Sequence, residues 1–186
     1  SETDWFSSLY LFRELHSEAI RILLPLADVA EFEKVRRSLI ATIHLGLRAY
    51  FRGAVQHLEV TEMSEPARGG HRQYLVIYDR IPGGSGYLKQ LMVDNQVFFA
   101  MLEMARDLLR DCSCANDMNK DGCYRCILAY RTSRYQQDIS RQAALNLLSR
   151  ILTHKNNVIE VDGLSQIPTN SLLESALEER LVQALG

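Results

Sequence analysis

The stretch Cys112-Ser-Cys114, followed eight residues later by Cys123-Tyr-Arg-Cys126, contains all four cysteines of the 186-residue chain. Two close pairs of thiols on either side of a short loop can bind one metal ion from two sides. Structural zinc takes four thiolates in a tetrahedron, with each sulfur about 2.3 Å from the ion. The spacing therefore predicts one zinc site, and its four ligands are Cys112, Cys114, Cys123 and Cys126.

Other uses of four cysteines stay open at this point. Two disulfides are typical of small secreted scaffolds, whereas this chain has 47% hydrophobic residues, enough for a core, and no evident signal peptide. A thioredoxin-type redox site uses a single C-x-x-C rather than two joined pairs. Four cysteines can also bind an iron–sulfur cluster, and we favour zinc over this alternative. A thiolate metal site predicts a reducing cytoplasm as the location.

Length and composition predict one domain, or one domain with a terminal extension. We place a zinc-binding domain at residues 1–161 and a linker with a C-terminal helix at residues 162–186. The net charge is −2, which does not favour a chain that binds polyanions over its whole surface. No apolar run approaches the ~18 residues of a membrane span, so no membrane partner is expected.

Periodicity predicts an α+β fold, in which a small antiparallel sheet packs with amphipathic helices and a four-cysteine zinc loop. Apolar residues recur at helical spacing after Asp28, and Gly53 suits the end of that helix. Strands are predicted within 8–25, at 55–61, 72–79 and 157–161, with a loop at 64–70 inside a hairpin. Helices are predicted at about 31–51, 95–109, 124–130, 140–152 and 171–185.

A glycine-rich turn follows the strand that ends at Asp79. It lacks the G-x-x-x-x-G-K-[ST] pattern of a phosphate-binding loop, so ATP binding in this chain is not expected. The turn could still offer backbone N–H groups to a phosphate of DNA or to a partner domain. We favour turn capping for Asp79 over a catalytic role, because no cluster of acids accompanies it. The remaining residues of the motif are Pro82, Gly83, Gly84 and Gly86.

Two further patterns carry less weight. His16-Ser-Glu18 matches the H-x-E of zinc deaminases, but it lies over a hundred residues from the cysteines, and four thiolates leave no open metal position. Between Lys120 and Arg150, basic residues outnumber acidic ones and alternate with tyrosines. Such a segment can hold phosphates and stack bases, although a solvated helix face has the same composition.

The order of these motifs resembles a known family. Tyr78-Asp-x-x-Pro-Gly-Gly-x-Gly-Tyr87, a helix and then cysteines ending Gly122-Cys-Tyr-x-Cys-Ile127 are similar to the zinc-binding domain near the C-terminus of bacterial DEAD/DEAH-type (superfamily 2) DNA helicases. These helicases include mitomycin-repair and phage-defence enzymes. The resemblance covers roughly residues 8–153, and it also includes the stretch from Leu15 to Ile22.

The resemblance implies an accessory domain of an ATP-dependent helicase. Its work would be to brace the motor domains and guide single-stranded DNA, in DNA repair or antiviral defence. ATP would bind only to the motor of the parent chain, and this chain would be no enzyme by itself. Zinc would be structural, and the glycine-rich turn would face DNA or the motor. The candidate phosphate contacts are Arg125, Arg131, Arg134 and Arg141.

Two other hypotheses belong to different classes. One is a docking module of a defence complex that touches no nucleic acid. The other is a metal-dependent enzyme acting alone, whose zinc would keep an open or water-filled position.

Overall fold

The computed structural model describes residues 14–23, 32–53, 55–67, 70–117, 119–128 and 135–157. Its strands are β1 (Ala19–Leu23), β2 (Leu58–Ala67) and β3 (Gly70–Asp79). Its helices are α1 (Phe32–Tyr50), α2 (Tyr87–Leu91), α3 (Asn95–Arg110) and α4 (Arg141–Thr153), with short 3-10 segments at Ser113–Asn116 and Lys155–Asn157. The predicted α+β class is confirmed.

The sheet has the order β1-β3-β2, and both pairs of strands are antiparallel. The predicted hairpin is present, but the predicted loop at 64–70 is wrong, because β2 and β3 pair from Leu58↔Asp79 to Ala67↔Gly70. The polar outer part of the hairpin carries no apolar alternation to reveal it, yet the backbone ladder continues there. Pro66 is tolerated because β2 is an edge strand.

The helices pack together on the sheet. Residues buried in β3, Leu75 and Ile77, share the core with Ile43 and Leu47 of α1 and with Met101 of α3. Helix α1 crosses α3 closely at Gly46, where an added Cβ would lie 2.4 Å from the Met101 sulfur. The periodic apolar residues of the sequence therefore form one core, as the helical spacing predicts.

Helix α4 is fixed to α1 by buried polar groups. The Ser140 side chain caps α4 by accepting from the Ala143 N–H at 3.0 Å. The Ser140 N–H donates to the Ser38 hydroxyl of α1 at 2.9 Å, and that hydroxyl donates to the Lys34 carbonyl. These bonds satisfy polar groups that would otherwise be costly to bury.

The predicted helix at 140–152 and the predicted end of α1 agree with the structure, since Gly53 has a φ of 92°. The short helix α2 was not predicted. The described residues end at 157. The rest of the predicted strand at 157–161, the predicted linker at 162–170 and the predicted helix at 171–185 therefore lie outside them. Within the described ranges, none of the helices is both long enough and apolar enough for a membrane span.

Candidate metal centre

The first cysteine pair follows the end of α3. Cys112 has an extended backbone and precedes the 3-10 turn Ser113–Asn116, whose Ala115 N–H donates to the Cys112 carbonyl at 2.8 Å. This turn brings the Sγ atoms of Cys112 and Cys114 to 3.5 Å from one another, although only one residue separates them. The tight C-x-C spacing is therefore compatible with a shared ion.

The second pair lies in a hydrogen-bonded turn. The N–H groups of Cys126 and Leu128 both donate to the Cys123 carbonyl, at 3.1 and 3.0 Å. Residues 124–127 form this turn and not a helix, so the predicted helix at 124–130 is wrong over its described part. The two bonds to the Cys123 carbonyl close the chain into a tight turn and do not continue as the i to i−4 ladder of an α-helix.

The four sulfur atoms form a compact cage. Sγ–Sγ distances are 3.5 Å for Cys112–Cys123, 3.7 Å for Cys114–Cys126 and 3.7 Å for Cys123–Cys126, and all four sulfurs lie within 4.8 Å of one another. A tetrahedron with bonds of about 2.3 Å has edges of about 3.8 Å. A disulfide would need about 2.05 Å. The cage therefore fits one ion at its centre.

A multi-iron cluster fits less well, because it places its cysteines on different metal atoms and so spreads the sulfurs farther apart than one ion does. Four protein thiolates also complete a tetrahedral shell and leave no position for a reactive water. The geometry is that of a structural site.

The thiols influence one another's ionisation. Burial raises the pKa of Cys114, and hydrogen bonds with the other thiols raise it further. Burial also opposes ionisation of Cys123, but the Arg125 backbone N–H and the neighbouring thiols outweigh it and lower the pKa of Cys123 to about 7. A bound divalent cation favours the deprotonated form of every ligand. Metal binding therefore releases protons, and its affinity falls in acid.

The centre is joined to the core and to two helices. Cys114 and Cys126 are buried, beside the buried Leu109 and Ile127. Asp121 of the loop accepts the N–H of Arg141 through its carbonyl, at 3.2 Å, and the N–H of Gln142 through its carboxylate, at 2.9 Å. The loop thus holds the start of α4.

The predicted basic residues have different surroundings. Arg125 is exposed and, within the described residues, its side chain makes no ion pair. Arg141 is half-buried and its Nη1 donates to the Leu109 carbonyl at 3.1 Å, so it ties α4 to the end of α3. Arg131 and Arg134 lie outside the described residues. Their contacts with DNA, like those of the other two, stay predictions.

The glycine-rich turn is held by buried carboxylates. Asp79 has no exposed surface and accepts the Ile81 N–H at 2.8 Å, the Ser85 N–H at 2.7 Å and the Ser85 hydroxyl. Burial opposes its ionisation, but these hydrogen bonds outweigh it and lower the pKa of Asp79. The residue caps the turn, which is the role we favoured from the sequence.

The segment His16–Glu18 completes the turn, a contact that the sequence did not reveal. The Gly83 N–H donates to the His16 carbonyl at 2.9 Å, and the Gly86 N–H donates to the Glu18 carboxylate at 3.2 Å. The Gly84 N–H donates to the Ile81 carbonyl. These N–H groups are used within the chain, which argues against the suggestion that they bind a phosphate. The sequence distance between the partners, 68 residues for Glu18 and Gly86, explains why it was missed.

The comparison with known families agrees with the sulfur cage and the loop around it. Residues 39–127 match the family model of the MrfA Zn-binding domain. The match begins inside α1, includes the glycine-rich turn and ends one residue after Cys126. The resemblance to the zinc-binding domain of such helicases is thus confirmed over that segment. The predicted structural zinc is also confirmed, since the family description and the four close sulfurs agree.

The chain was also compared with curated proteins and with solved structures. No curated protein matches this chain. A solved structure described as "Crystal Structure of DUF1998 helicase MrfA bound to DNA" is 20% identical, with a TM-score of 0.48. The alignment covers 67% of this chain but 15% of that chain. The chain therefore spans a small part of the helicase to which it is similar.

Proposed function

We propose that this chain is an accessory zinc-binding domain of an ATP-dependent DNA helicase, which braces the motor domains and guides single-stranded DNA. Both the repair and the antiviral helicases of the resemblance fit this role. ATP binding and hydrolysis belong to the motor in this proposal, and the chain alone is inactive. A reducing cytoplasm suits the four free thiols.

The observation that carries the proposal is the saturated four-thiolate cage within a segment that matches the MrfA Zn-binding domain. A centre with four protein ligands stabilises structure and does not activate water. This one joins the end of α3, the cysteine loop and the start of α4 through bonds to Leu109 and Asp121. A rigid connection of this kind suits a domain that transmits or resists motion of a neighbouring motor.

The DNA part of the proposal depends on local charge. A zinc ion with four thiolates has a net charge of −2, and the chain also has −2. Any phosphate must therefore meet a local cation. Arg125 lies between the two ligands of the second pair, is exposed and has no ion pair within the described residues. It is the described cation best suited to this contact.

The salt dependence of binding tests the DNA part. Binding of a fluorescent single-stranded oligonucleotide to the zinc-loaded chain should weaken steeply with salt, and Arg125→Gln should reduce the slope of log K against log salt by about 0.7. Arg80→Gln is the matched control, because Arg80 is exposed but pairs with Glu59 at the end of β3. It should leave the slope unchanged.

The docking module is the second candidate, and one feature favours it. Met104 and Leu108 are 41% and 45% exposed on α3, and they line a cavity of about 560 Å³ beside Cys112. Exposed apolar side chains of this kind suit a protein partner. A chain that does not bind the oligonucleotide even at low salt would leave protein docking as the function and would exclude DNA guidance.

A further inference from the structure

Two tyrosines near the metal centre are unusual in their exposure. Tyr124 is 69% exposed and Tyr135 is 49% exposed, and they are the exposed aromatic side chains of the described residues. Tyr124 lies between two zinc ligands, and Tyr135 lies a few residues before α4. Exposed aromatic rings leave apolar surface in water unless a partner covers them. Their position on the same part of the fold indicates a shared partner.

The two rings are linked through one residue. The Gln136 side chain donates to the Tyr124 hydroxyl at 3.4 Å, and Gln136 directly follows Tyr135. The hydrogen bond fixes the hydroxyl end of the Tyr124 ring, while most of the side chain stays exposed. The backbone beneath Tyr124 is also fixed, since the bonds to the Cys123 carbonyl close the turn.

Tyr135 is fixed by a cation. The Arg37 guanidinium lies over its ring, 3.9 Å from the centroid. Arg37 is held in turn by Asp138, at 3.2 Å, and by Glu33, at 3.3 Å. Tyr135 also lines an open cavity of about 380 Å³ beside β2, so a ligand can reach the ring. Rings held in place in advance lose little conformational entropy when a ligand binds.

A thiolate-bound zinc ion beside Tyr124 carries a net charge of about −2, so an anion there needs a cation of its own. Beside Tyr135, the Asp138 carboxylate is paired with Arg37, and in the cysteine loop the Asp117 carboxylate is paired with Lys120. Arg125, next to Tyr124, is exposed and makes no ion pair within the described residues. Aromatic faces beside an unpaired cation match a ligand that alternates planar rings with phosphates. Single-stranded DNA has this chemistry, whereas a duplex keeps its base faces stacked inside.

We propose that Tyr124 and Tyr135 stack unpaired bases of single-stranded DNA while Arg125 binds the adjoining phosphate. This inference rests on the proposed function and adds the residues that select single strands. It assigns a binding role to the tyrosines, which the metal centre itself does not require.

The test uses the zinc-loaded 186-residue chain and an oligonucleotide of about fifteen thymidines, which is within the range of a single-strand site. Tyr124→Leu and Tyr135→Leu should each weaken binding about five-fold or more, whereas Tyr124→Phe should bind as the unchanged chain does, because stacking needs the ring. Zinc content and melting temperature of every variant check that the fold is retained.

A second measurement needs no variant. An oligonucleotide of the same length without bases keeps the phosphates and loses the stacking. The unchanged chain should bind it at least five-fold more weakly than the thymidine strand, with the same salt slope, and should bind a duplex more weakly as well.

The outcomes separate the two proposals. Equal affinity for the strands with and without bases, together with leucine variants that bind within two-fold of the unchanged chain, would overturn the stacking role and leave the DNA contact of Arg125 standing. Absence of any binding to single strands would overturn the stacking role and the proposed DNA guidance together.

Discussion

Asp79 is a buried carboxylate that accepts three hydrogen bonds from the turn after β3. The nearby His57 ring donates no direct bond to it but lies 3.8 Å away and contacts the Ser85 hydroxyl at 2.9 Å. Because the donors favour the ionised form, the pKa of Asp79 is lowered in the fold. A group with a lowered pKa stabilises the fold when it is ionised, and its contribution is lost in acid.

We therefore expect Asp79→Asn to lower the free energy of unfolding at neutral pH by about 2–4 kcal/mol, because an amide cannot accept from every donor in the turn. The contribution of Asp79 is present above the unfolded pKa of about 3.9 and disappears as the pH falls through the lower folded value. Urea unfolding between roughly pH 3 and 7, a range that includes the unfolded pKa of about 3.9, measures both effects.

The stability difference between the unchanged chain and the variant should shrink as the pH falls below about 4. Zinc release in acid affects both proteins, so the difference isolates Asp79. A difference that stays constant down to the lowest pH would contradict an ionised, stabilising Asp79.

At the scale of elements, the turn between β3 and α2 depends on the segment before β1. Gly83 and Gly84 both have a φ of +82°, a conformation that costs other residues about 1–2 kcal/mol. The two positions differ in the space that is available for a side chain. A Cβ at Gly84 would lie 2.4 Å from the Glu18 Cγ, whereas a Cβ at Gly83 would meet nothing within 4 Å.

Gly84→Ala should therefore cost more than Gly83→Ala, by about 1–3 kcal/mol. To make room, the Glu18 side chain would leave the Gly86 N–H and the Lys89 ammonium, which lie 3.2 and 3.1 Å from its oxygens. Chemical denaturation gives the free energy of unfolding of both variants. The cost of placing alanine at a φ of +82° is common to both and cancels in the difference. Equal losses in both would show that Glu18 does not hold the turn.

At the scale of the whole molecule, the metal centre and the sheet have separate supports. The cysteine loop is attached to α3 and α4, while the hairpin is stabilised by its own ladder and by the buried Leu75 and Ile77. Since a metal site of this type contributes folding free energy directly, loss of zinc should destabilise the loop most.

Cys123→Ser should reduce bound zinc below one equivalent, lower the melting temperature and raise hydrogen exchange chiefly over about 111–130 and the start of α4. Ser113→Ala, a change within the same loop at a residue that is not a ligand, is the control and should retain zinc. Hydrogen exchange with mass spectrometry and metal analysis measure these effects. One equivalent of zinc with unchanged melting would contradict the four-thiolate site.

Much of the element pattern could be predicted because it depends on neighbours in sequence. The helical spacing of apolar residues predicted α1, α3 and α4, and Ser140 marked the start of α4. Two of the errors, a loop at 64–70 and a helix at 124–130, have local causes. The polar residues of the outer hairpin gave no strand pattern, and the apolar residues around Cys126 suggested a helix where the chain forms a hydrogen-bonded turn.

The sequence by itself determined which four thiols can share one ion, since pairs of cysteines separated by one or two residues can reach one ion with little help from the rest of the chain. Only the tertiary structure decided that Glu18 holds a turn beginning more than sixty residues later, that Arg141 binds the Leu109 carbonyl, and that Gln136 connects Tyr124 to Tyr135. Such partners meet because the helices and the sheet pack in one particular way. That packing is a property of the whole core, which no short stretch of sequence contains.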